Sequence, residues 1–467
     1  MKVVFVYPDL TGGARGWTGH FYSGLGYLSA VLKAARHKVR LIHIVKPLSR
    51  YEFVRQLDRQ NPDLVGFSTT SLMYPYVRQY ATWVRDWRPV FAICGGVHAA
   101  LCPDEVMSDG LFDAVCVGEG EEAIVELTEA LETGRDYTGI RNLWINKGAS
   151  IIRNPLRPLI ADLDSLPFPD RSLFSQPNTF AERGIARIMA SRGCPYRCSY
   201  CANNALSRIY SGLGSYVRFR SPENVICEIE TLLKSPSSPQ ALWFDDDILP
   251  CRKDWFREFV SLYRERIGIP YECYLRPNLA TSSVVRLLAE SGCHRVHLGV
   301  ESGSEYLRIN HLNRRISNEQ IRQAFALCQE ANLETVSLNM VGFPQEDMRK
   351  ALETVKLNAA LNPSRISVSC FYPIPGTDLH LECKEKGLLS DCQVDNMYSE
   401  TTVQHVPLSP EQIRFVRRRF SGLVRMYQEL QGCVGKVLVA LLEAIICSDV
   451  LRWVFNITDR TRLCKGE

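Results

Sequence analysis

The chain has 467 residues, enough for two or three domains that each bury a core. It is 46% hydrophobic and 23% charged with a formal net charge of +4, ordinary values for a folded chain. Its basic residues form no long stripe, which argues against a dedicated nucleic-acid binder. Its 17 cysteines are an odd number, and the opening MKVVFVYPDL reads as a strand and turn rather than a secretion leader. A disulfide framework is therefore a poor explanation for them, and a cytoplasmic location is expected. No apolar run reaches bilayer length; Val434 to Phe455 is interrupted by Lys436, Glu443, Asp449 and Arg452 and reads as a packed or surface-lying helix.

Residues 1–135 alternate short apolar runs with amphipathic segments. Val3 to Tyr7, Lys38 to Ile44, Leu64 to Thr69, Phe91 to Gly96 and Ala114 to Gly118 read as strands. Such spacing predicts a doubly wound, Rossmann-like α/β domain with its crevice beyond the carboxyl ends of the strands. Gly12, Gly13, Ser68, Thr69, Thr70, Gly95, Gly96, Gly118, Glu119 and Gly120 cluster at those ends. Glycines admit close backbone approach and the hydroxyls can bond a polar ligand, although any one of them also reads as a tight turn.

The words GLGYLSAVLKAARHKVRLI, NPDLVGFSTTS, CGGVHAALCPDEV and FDAVCVGEGEEAIVEL resemble the cobalamin-binding domain that precedes many radical S-adenosylmethionine (SAM) domains. The resemblance implies that the strand-end residues above, together with His98, contact cobalamin. Cobalamin-dependent mutases carry an Asp-x-His-x-x-Gly loop after the first strand; the corresponding PDLTGGARGWTGHF lacks it, and His20 has no Asp two residues before it. Either cobalamin binds without a protein histidine on cobalt, as the resemblance implies for this group, or the domain has lost the cofactor. Residues 136–182, with the acidic, proline-rich run Asp162 to Asp170, read as a linking strap similar to those of the same family.

ARIMASRGCPYRCSYCANNAL breaks at Gly193 and places Cys194, Cys198 and Cys201 in one loop after a strand. This C-x-x-x-C-x-x-C spacing wraps three thiolates around one corner of a [4Fe–4S] cubane and leaves the fourth iron open. A structural zinc site would need a fourth ligand, and a redox pair only two cysteines. Downstream, strands at Ala241 to Leu249, Tyr271 to Arg276, Arg295 to Ser302, Thr335 to Phe343 and Arg365 to Pro373 alternate with helices. That repeat predicts a complete or partial β/α barrel over residues 183–390.

This stretch resembles the radical SAM enzymes, and together the two halves resemble cobalamin-dependent radical SAM methyltransferases and the anaerobic Mg-protoporphyrin ester cyclases. The resemblance assigns Asp245, Asp246 and Asp247 to the methionine amino group, Glu301 and Ser302 to the ribose, and the backbone of Val341, Gly342 and Phe343 to adenine. Tyr200 would face the adenine, and Arg276 stands at a polar strand end of the same rim. It further implies reductive cleavage of SAM to a 5′-deoxyadenosyl radical, a small-molecule substrate, and an electron donor such as flavodoxin or ferredoxin. Methylation of an unactivated carbon or phosphorus leads; radical cyclisation or oxidation, and a non-catalytic cobalamin or electron carrier, are the alternatives. Residues 391–467 read as a helical region, with Ser409 a cap before Pro410. There Arg417, Arg418 and Arg419 read as a solvated face, and peripheral membrane contact is the alternative to packing.

Overall fold

Short β-branched runs between amphipathic segments build two parallel sheets, one in each half of the chain. The computed structural model describes residues 1–10, 19–174, 184–236, 238–390, 401–404 and 406–430, and, near the end, 437–438, 441, 443–444 and 446–447. Gly12 and Gly13 lie outside the described residues, as does most of Val437 to Phe455.

The first half runs β1 (Lys2–Pro8), α1 (Ser23–Ala34), β2 (Lys38–Ile44), α2 (Arg50–Gln60), β3 (Leu64–Ser68), α3 (Tyr74–Trp87), β4 (Phe91–Gly95), α4 (Val97–Leu101), α5 (Pro103–Ser108), β5 (Ala114–Cys116) and α6 (Glu121–Thr133). The five strands pair in parallel in the order β2-β1-β3-β4-β5, the doubly wound arrangement the pattern predicts. Strand order reverses between β1 and β3, where such sheets open their crevice. Helix α2 shows the local logic. Ser49 and Glu52 form a reciprocal capping box, Phe53 and Leu57 bury one face, and Asn61 ends the helix in the left-handed region.

Within residues 136–182, β6 (Leu143–Asn146) and β7 (Ile151–Arg153) first add two antiparallel strands to this sheet. Leu143 and Ile145 are buried while Trp144 and Asn146 are half-buried, the alternation of an edge hairpin. The strap that follows is fastened at both ends by its acidic residues. Asp164 accepts the backbone N–H of Ser221 at 2.9 Å, and Asp170 accepts Ser29 Oγ at 2.6 Å and pairs with Lys33.

The second half contains β8 (Ile185–Ile188), β9 (Ser191–Arg192), α7 (Ala202–Ile209), β10 (Arg218–Phe219), α8 (Pro222–Leu233), β11 (Ala241–Phe244), α9 (Lys253–Arg266), β12 (Tyr271–Leu275), α10 (Ser282–Glu290) and β13 (Cys293–Glu301). It continues with α11 (Glu305–Asn310), α12 (Asn318–Glu330), β14 (Glu334–Val341), α13 (Met348–Leu361), β15 (Arg365–Cys370), α14 (Asp378–Glu385) and α15 (Pro410–Glu429). Strands β8, β11, β12, β13, β14 and β15 lie side by side in chain order, all parallel. This is a six-stranded partial barrel. Leu242, Phe244, Cys273, Leu275, Val296 and Leu298 pack into the helix-side core. Strand alternation therefore turns Trp243, Glu272, Tyr274 and His297 to the inner face. The strand expected to reach Leu249 stops at Phe244, because Asp245, Asp246 and Asp247 turn to partners outside the ladder.

Helix α15 lays Ile413, Val416, Phe420 and Val424 against α13 and the β14–β15 edge. Arg418 and Arg419 are exposed and Arg417 is half-buried. No helix among the described residues is long and apolar enough to cross a membrane.

The two halves meet through charge. Glu119, in the turn between β5 and α6, pairs with Arg192 at 2.7 Å and Arg218 at 2.9 Å, and Glu121 pairs with Arg192 at 2.6 Å. All four side chains are at least 85% buried, so removing one partner strands an opposite charge. Arg192→Met is expected to cost about 3–5 kcal/mol of stability. A urea midpoint shift worth less than about 1 kcal/mol would place the cluster among inconsequential surface pairs.

Candidate active site between the two sheets

A cavity of about 640 Å³ opens between the carboxyl edge of the first sheet and the mouth of the barrel. Ser68, Gly95, Gly96, Gly118, Glu119 and Gly120 line its first-sheet side, with Phe5, Phe67 and Ile93 as an apolar floor. Arg187, Met189, Arg192, Asp245, Asp247 and Tyr274 line the barrel side. Of the strand-end residues singled out in the sequence, Thr69, Thr70 and His98 stand outside this lining. Thr69 donates its hydroxyl to the Thr70 carbonyl, and His98 is buried behind the rim against Ser71 and Tyr74. Gly96 has φ +95°, and a Cβ there would meet the Thr69 backbone at 2.7 Å; the loop admits only glycine. This glycine-edged crevice at the strand-order switch fits a large planar ligand such as a corrin.

The loop after β1 also reaches the cavity. His20 lines it, with Nδ1 3.1 Å from Asp9 Oδ2, and His43 Nε2 lies 3.0 Å from the same oxygen. Burial opposes ionisation of Asp9, but its bonds with His20 and His43 outweigh that and hold the carboxyl well below its usual range. Spacing gave no sign of this pairing, since Asp9 ends a strand and His20 lies eleven residues on.

The three cysteines sit together between β9 and α7, all as free thiols. Gly193 makes the turn into the loop at φ +83°; a Cβ there would lie 2.3 Å from the Tyr216 carbonyl oxygen. Neighbours hold the loop by its backbone. Ser199 N–H donates to the Leu312 carbonyl at 3.1 Å, Leu379 N–H donates to the Ser199 carbonyl at 3.1 Å, and Asn313 donates to the Arg197 carbonyl at 2.7 Å. Burial first, then Asp247 and the neighbouring thiols, push the Cys194 and Cys201 thiols up to about 11 and about 12. The charge of a bound metal ion offsets such a penalty, since a coordinating thiol is deprotonated.

Around this loop the other predicted residues fall into two groups. Asp245 is paired with Arg187, and Asp247 accepts from Asn203 at 3.0 Å; both also face the cavity. Arg276 lies with its guanidinium 3.6 Å over the Tyr196 ring, inside the cysteine loop. Glu301 breaks the β13 register at φ +66° and lies 3.8 Å from Arg314, whose other nitrogen approaches Cys198 Sγ at 4.0 Å. A non-glycine residue held there stores strain, as binding sites often do. Burial raises Glu301 despite Arg314 and Tyr200 beside it.

The second group turns its side chains away. Asp246 is wholly buried and bonded to Ser191 and the Ala190 N–H. Ser302 is buried, its carbonyl taken by Arg308 at 2.5 Å. Val341 and Phe343 point into apolar clusters, and Tyr200 packs near Phe343 and Phe371. The Tyr200 side chain still reaches Glu301. Arg187, Arg192, Tyr274 and Arg314 went unnoticed in the sequence. Inward strand parity with Arg276 signals Tyr274, whereas no local pattern signals Arg314.

The sequence profile of the B12 binding domain matches residues 20–128 and that of the Radical SAM superfamily matches residues 188–357. The chain is 28% identical over 389 residues to an uncharacterized methyltransferase of Pyrococcus horikoshii, covering 81% of this chain and 82% of that one. It is 24% identical to the anaerobic magnesium-protoporphyrin IX monomethyl ester cyclase of Rubrivivax gelatinosus, covering 83% and 70%. It is 25% identical to the hopanoid C-3 methylase of Methylococcus capsulatus, covering 82% and 73%. Among solved structures, the fold matches the radical SAM methyltransferase TsrM of Kitasatospora setae with TM-score 0.68 and 18% identity, covering 82% of this chain and 75% of that one. It also matches the cobalamin-dependent SAM radical enzyme OxsB with TM-score 0.73 and 13% identity, covering 100% and 80%. The chain belongs to the cobalamin-dependent radical SAM enzymes. Its cofactors are a [4Fe–4S] cluster, SAM and cobalamin.

One buried acid beside this rim gives a pH signature. Glu346 is fully buried and accepts the Gly342 N–H; burial pushes its carboxyl up to about 8. An unfolded chain releases that proton near 4.5, so from there to about 8 the folded state holds the extra proton and stability falls as pH rises. Glu346→Gln should flatten the fall of the thermal midpoint between about pH 5 and pH 8. Parallel profiles for variant and parent would refute this.

Proposed function

We propose that this enzyme methylates an unactivated carbon, or phosphorus, of a small-molecule substrate that binds in the cavity between the two sheets. The observation that carries this reading is that one cavity is bounded by both the cobalamin-type strand ends and the mouth of the barrel. In this reading Cys194, Cys198 and Cys201 hold the cluster. Asp245, Asp247, Arg276, Glu301 and the Val341–Phe343 backbone hold SAM. Ser68, Gly95, Gly96, Gly118, Glu119 and Gly120 hold cobalamin. When bound, the cluster supplies the electron that splits SAM and cobalamin carries the methyl group.

The chain's own residues confine the substrate. Phe5, Phe21, Phe67 and Ile93 keep water out of one wall, while Arg187, Asp245 and Tyr274 offer polar anchors on the other. A flavodoxin or ferredoxin would deliver the electron. Exposed Val437, Leu438 and Leu441 support peripheral contact with a membrane.

Radical cyclisation or oxidation is the second reading, supported by the likeness to the anaerobic magnesium-protoporphyrin IX monomethyl ester cyclase of Rubrivivax gelatinosus. Products separate the two. Anaerobically reconstituted protein given SAM, reductant and a candidate substrate should yield 5′-deoxyadenosine together with S-adenosylhomocysteine. Deoxyadenosine alone would favour the second reading. Cys198→Ala should abolish both iron–sulfur absorbance and SAM cleavage, and retained cleavage would overturn the assignment of the cluster.

A further inference from the structure

Outside the cavity, one side-chain cluster has no part in the chemistry above. His98, Cys102 and Glu105 come from the short α4–α5 turn, where the sequence reads HAALCPDE. Cys102 is the non-helical residue between α4 and α5, at φ −131° and ψ 52°, and its N–H donates to the His98 carbonyl at 2.8 Å. One ligand atom from each lies within 4.8 Å of the others.

His98 is 3% exposed, and among the described residues its Nε2 has no hydrogen-bond partner. An orphaned buried ring nitrogen is costly unless something is bound to it. Its other nitrogen, Nδ1, lies 3.2 Å from Ser71 Oγ. If Nδ1 carries the proton, that bond leaves the Nε2 lone pair facing the cluster, the outer support that metal-binding imidazoles receive. Tyr74 stacks on the ring with centroids 4.2 Å apart and fixes its plane. Nε2 stands 3.7 Å from Glu105 Oε2. That is too long for a hydrogen bond, but near the roughly 3.3 Å between two ligands of a tetrahedral ion bound at about 2.0–2.1 Å.

We infer that His98 Nε2, Cys102 Sγ and Glu105 Oε2 form a site for a tetrahedral divalent transition metal of the zinc type, with solvent as the fourth ligand. One thiolate, one imidazole and one carboxylate is a borderline-soft set, which suits zinc better than magnesium or calcium. The ion binds as the thiol releases its proton. The site stands where the first half touches the barrel. A Cβ at Gly376, between β15 and α14, would lie 3.6 Å from the side chain of Leu101, which precedes Cys102. A metal here pins the α4–α5 turn directly behind the glycine-edged rim, and it acts as a positioning element with no contact to the reacting atoms.

The test uses full-length protein purified anaerobically with its cluster and cobalamin, analysed for zinc, iron and cobalt. One zinc per chain is expected, and X-ray absorption at the zinc edge should show a single sulfur among nitrogen and oxygen neighbours. Cys102→Ser and Glu105→Ala should each weaken zinc at least tenfold in competition with a chromophoric chelator, with iron and cobalt unchanged. Ser71→Ala should weaken it by about tenfold through loss of ring support. Zinc no higher than in Cys102→Ser protein, zinc indifferent to both ligand variants, or a sulfur-rich shell that places the ion on the cluster cysteines would each overturn the site. The readout is metal content and coordination, so failed turnover on an untried substrate leaves it intact.

Discussion

Glu119 and Glu121 on one side, and Arg192 and Arg218 on the other, meet where neither half of the chain could leave them alone. Glu119 stands between Gly118 and Gly120 at the rim of the first sheet, and Arg192 is separated from Cys194 only by Gly193. The pairs that join the halves therefore also set how far the cysteine loop lies from the glycine rim. An ion pair buried to this degree gives up much of its hydration, and Coulomb attraction offsets that only when geometry is held closely. Surrounding contacts hold it. The Ile160 N–H donates to Glu119 at 2.9 Å, Arg218 donates to the Ile160 carbonyl at 2.8 Å, and the Arg192 guanidinium sits over Tyr27.

The rest of the site is built outward from that seam. Short antiparallel pairing of Arg218 with Arg192 and Phe219 with Ser191 carries both arginines on one small ribbon. Ser191 in turn bonds Asp246, so the aspartate loop is tied to the same ribbon. On the far side of the cysteines, Arg314 joins Cys198, Glu301 and the Gly299 carbonyl. A chain of charge-assisted contacts thus runs from the first sheet to the fourth barrel strand, each link adding less than a few kcal/mol but all restraining one loop.

Much of this was legible in the residues and some was not. Strands such as Val3 to Tyr7 announce themselves because burial on both faces demands continuous apolar runs. The cysteine loop announces itself because three thiols spaced closely in sequence share one turn. The glycine rim follows from strand ends, and the reach of its Ser68 and Gly96 into the cavity agrees with that. What stayed hidden depends on partners far apart in the chain. Glu119 reads locally as a ligand-facing residue, yet its carboxylate is taken by Arg192 and Arg218, some seventy to a hundred residues away. Asp9 and His20 escape because their pairing depends on how a loop returns, and Arg314 because it lies on a turn with no period. His98 stands in a conspicuous word, but its environment is decided by Ser71 and Tyr74.

The acidic strap has a consequence for how such a protein can be taken apart. Asp164 and Asp170 hold opposite halves within a few residues of each other, and the arginine ribbon has its carboxylates on the other half. Cutting the chain between the sheets would expose a cationic edge on one fragment and an anionic edge on the other. The two halves behave less like beads on a string than like the two jaws of a clamp, and grafting either one onto a foreign partner means carrying its matching charges along.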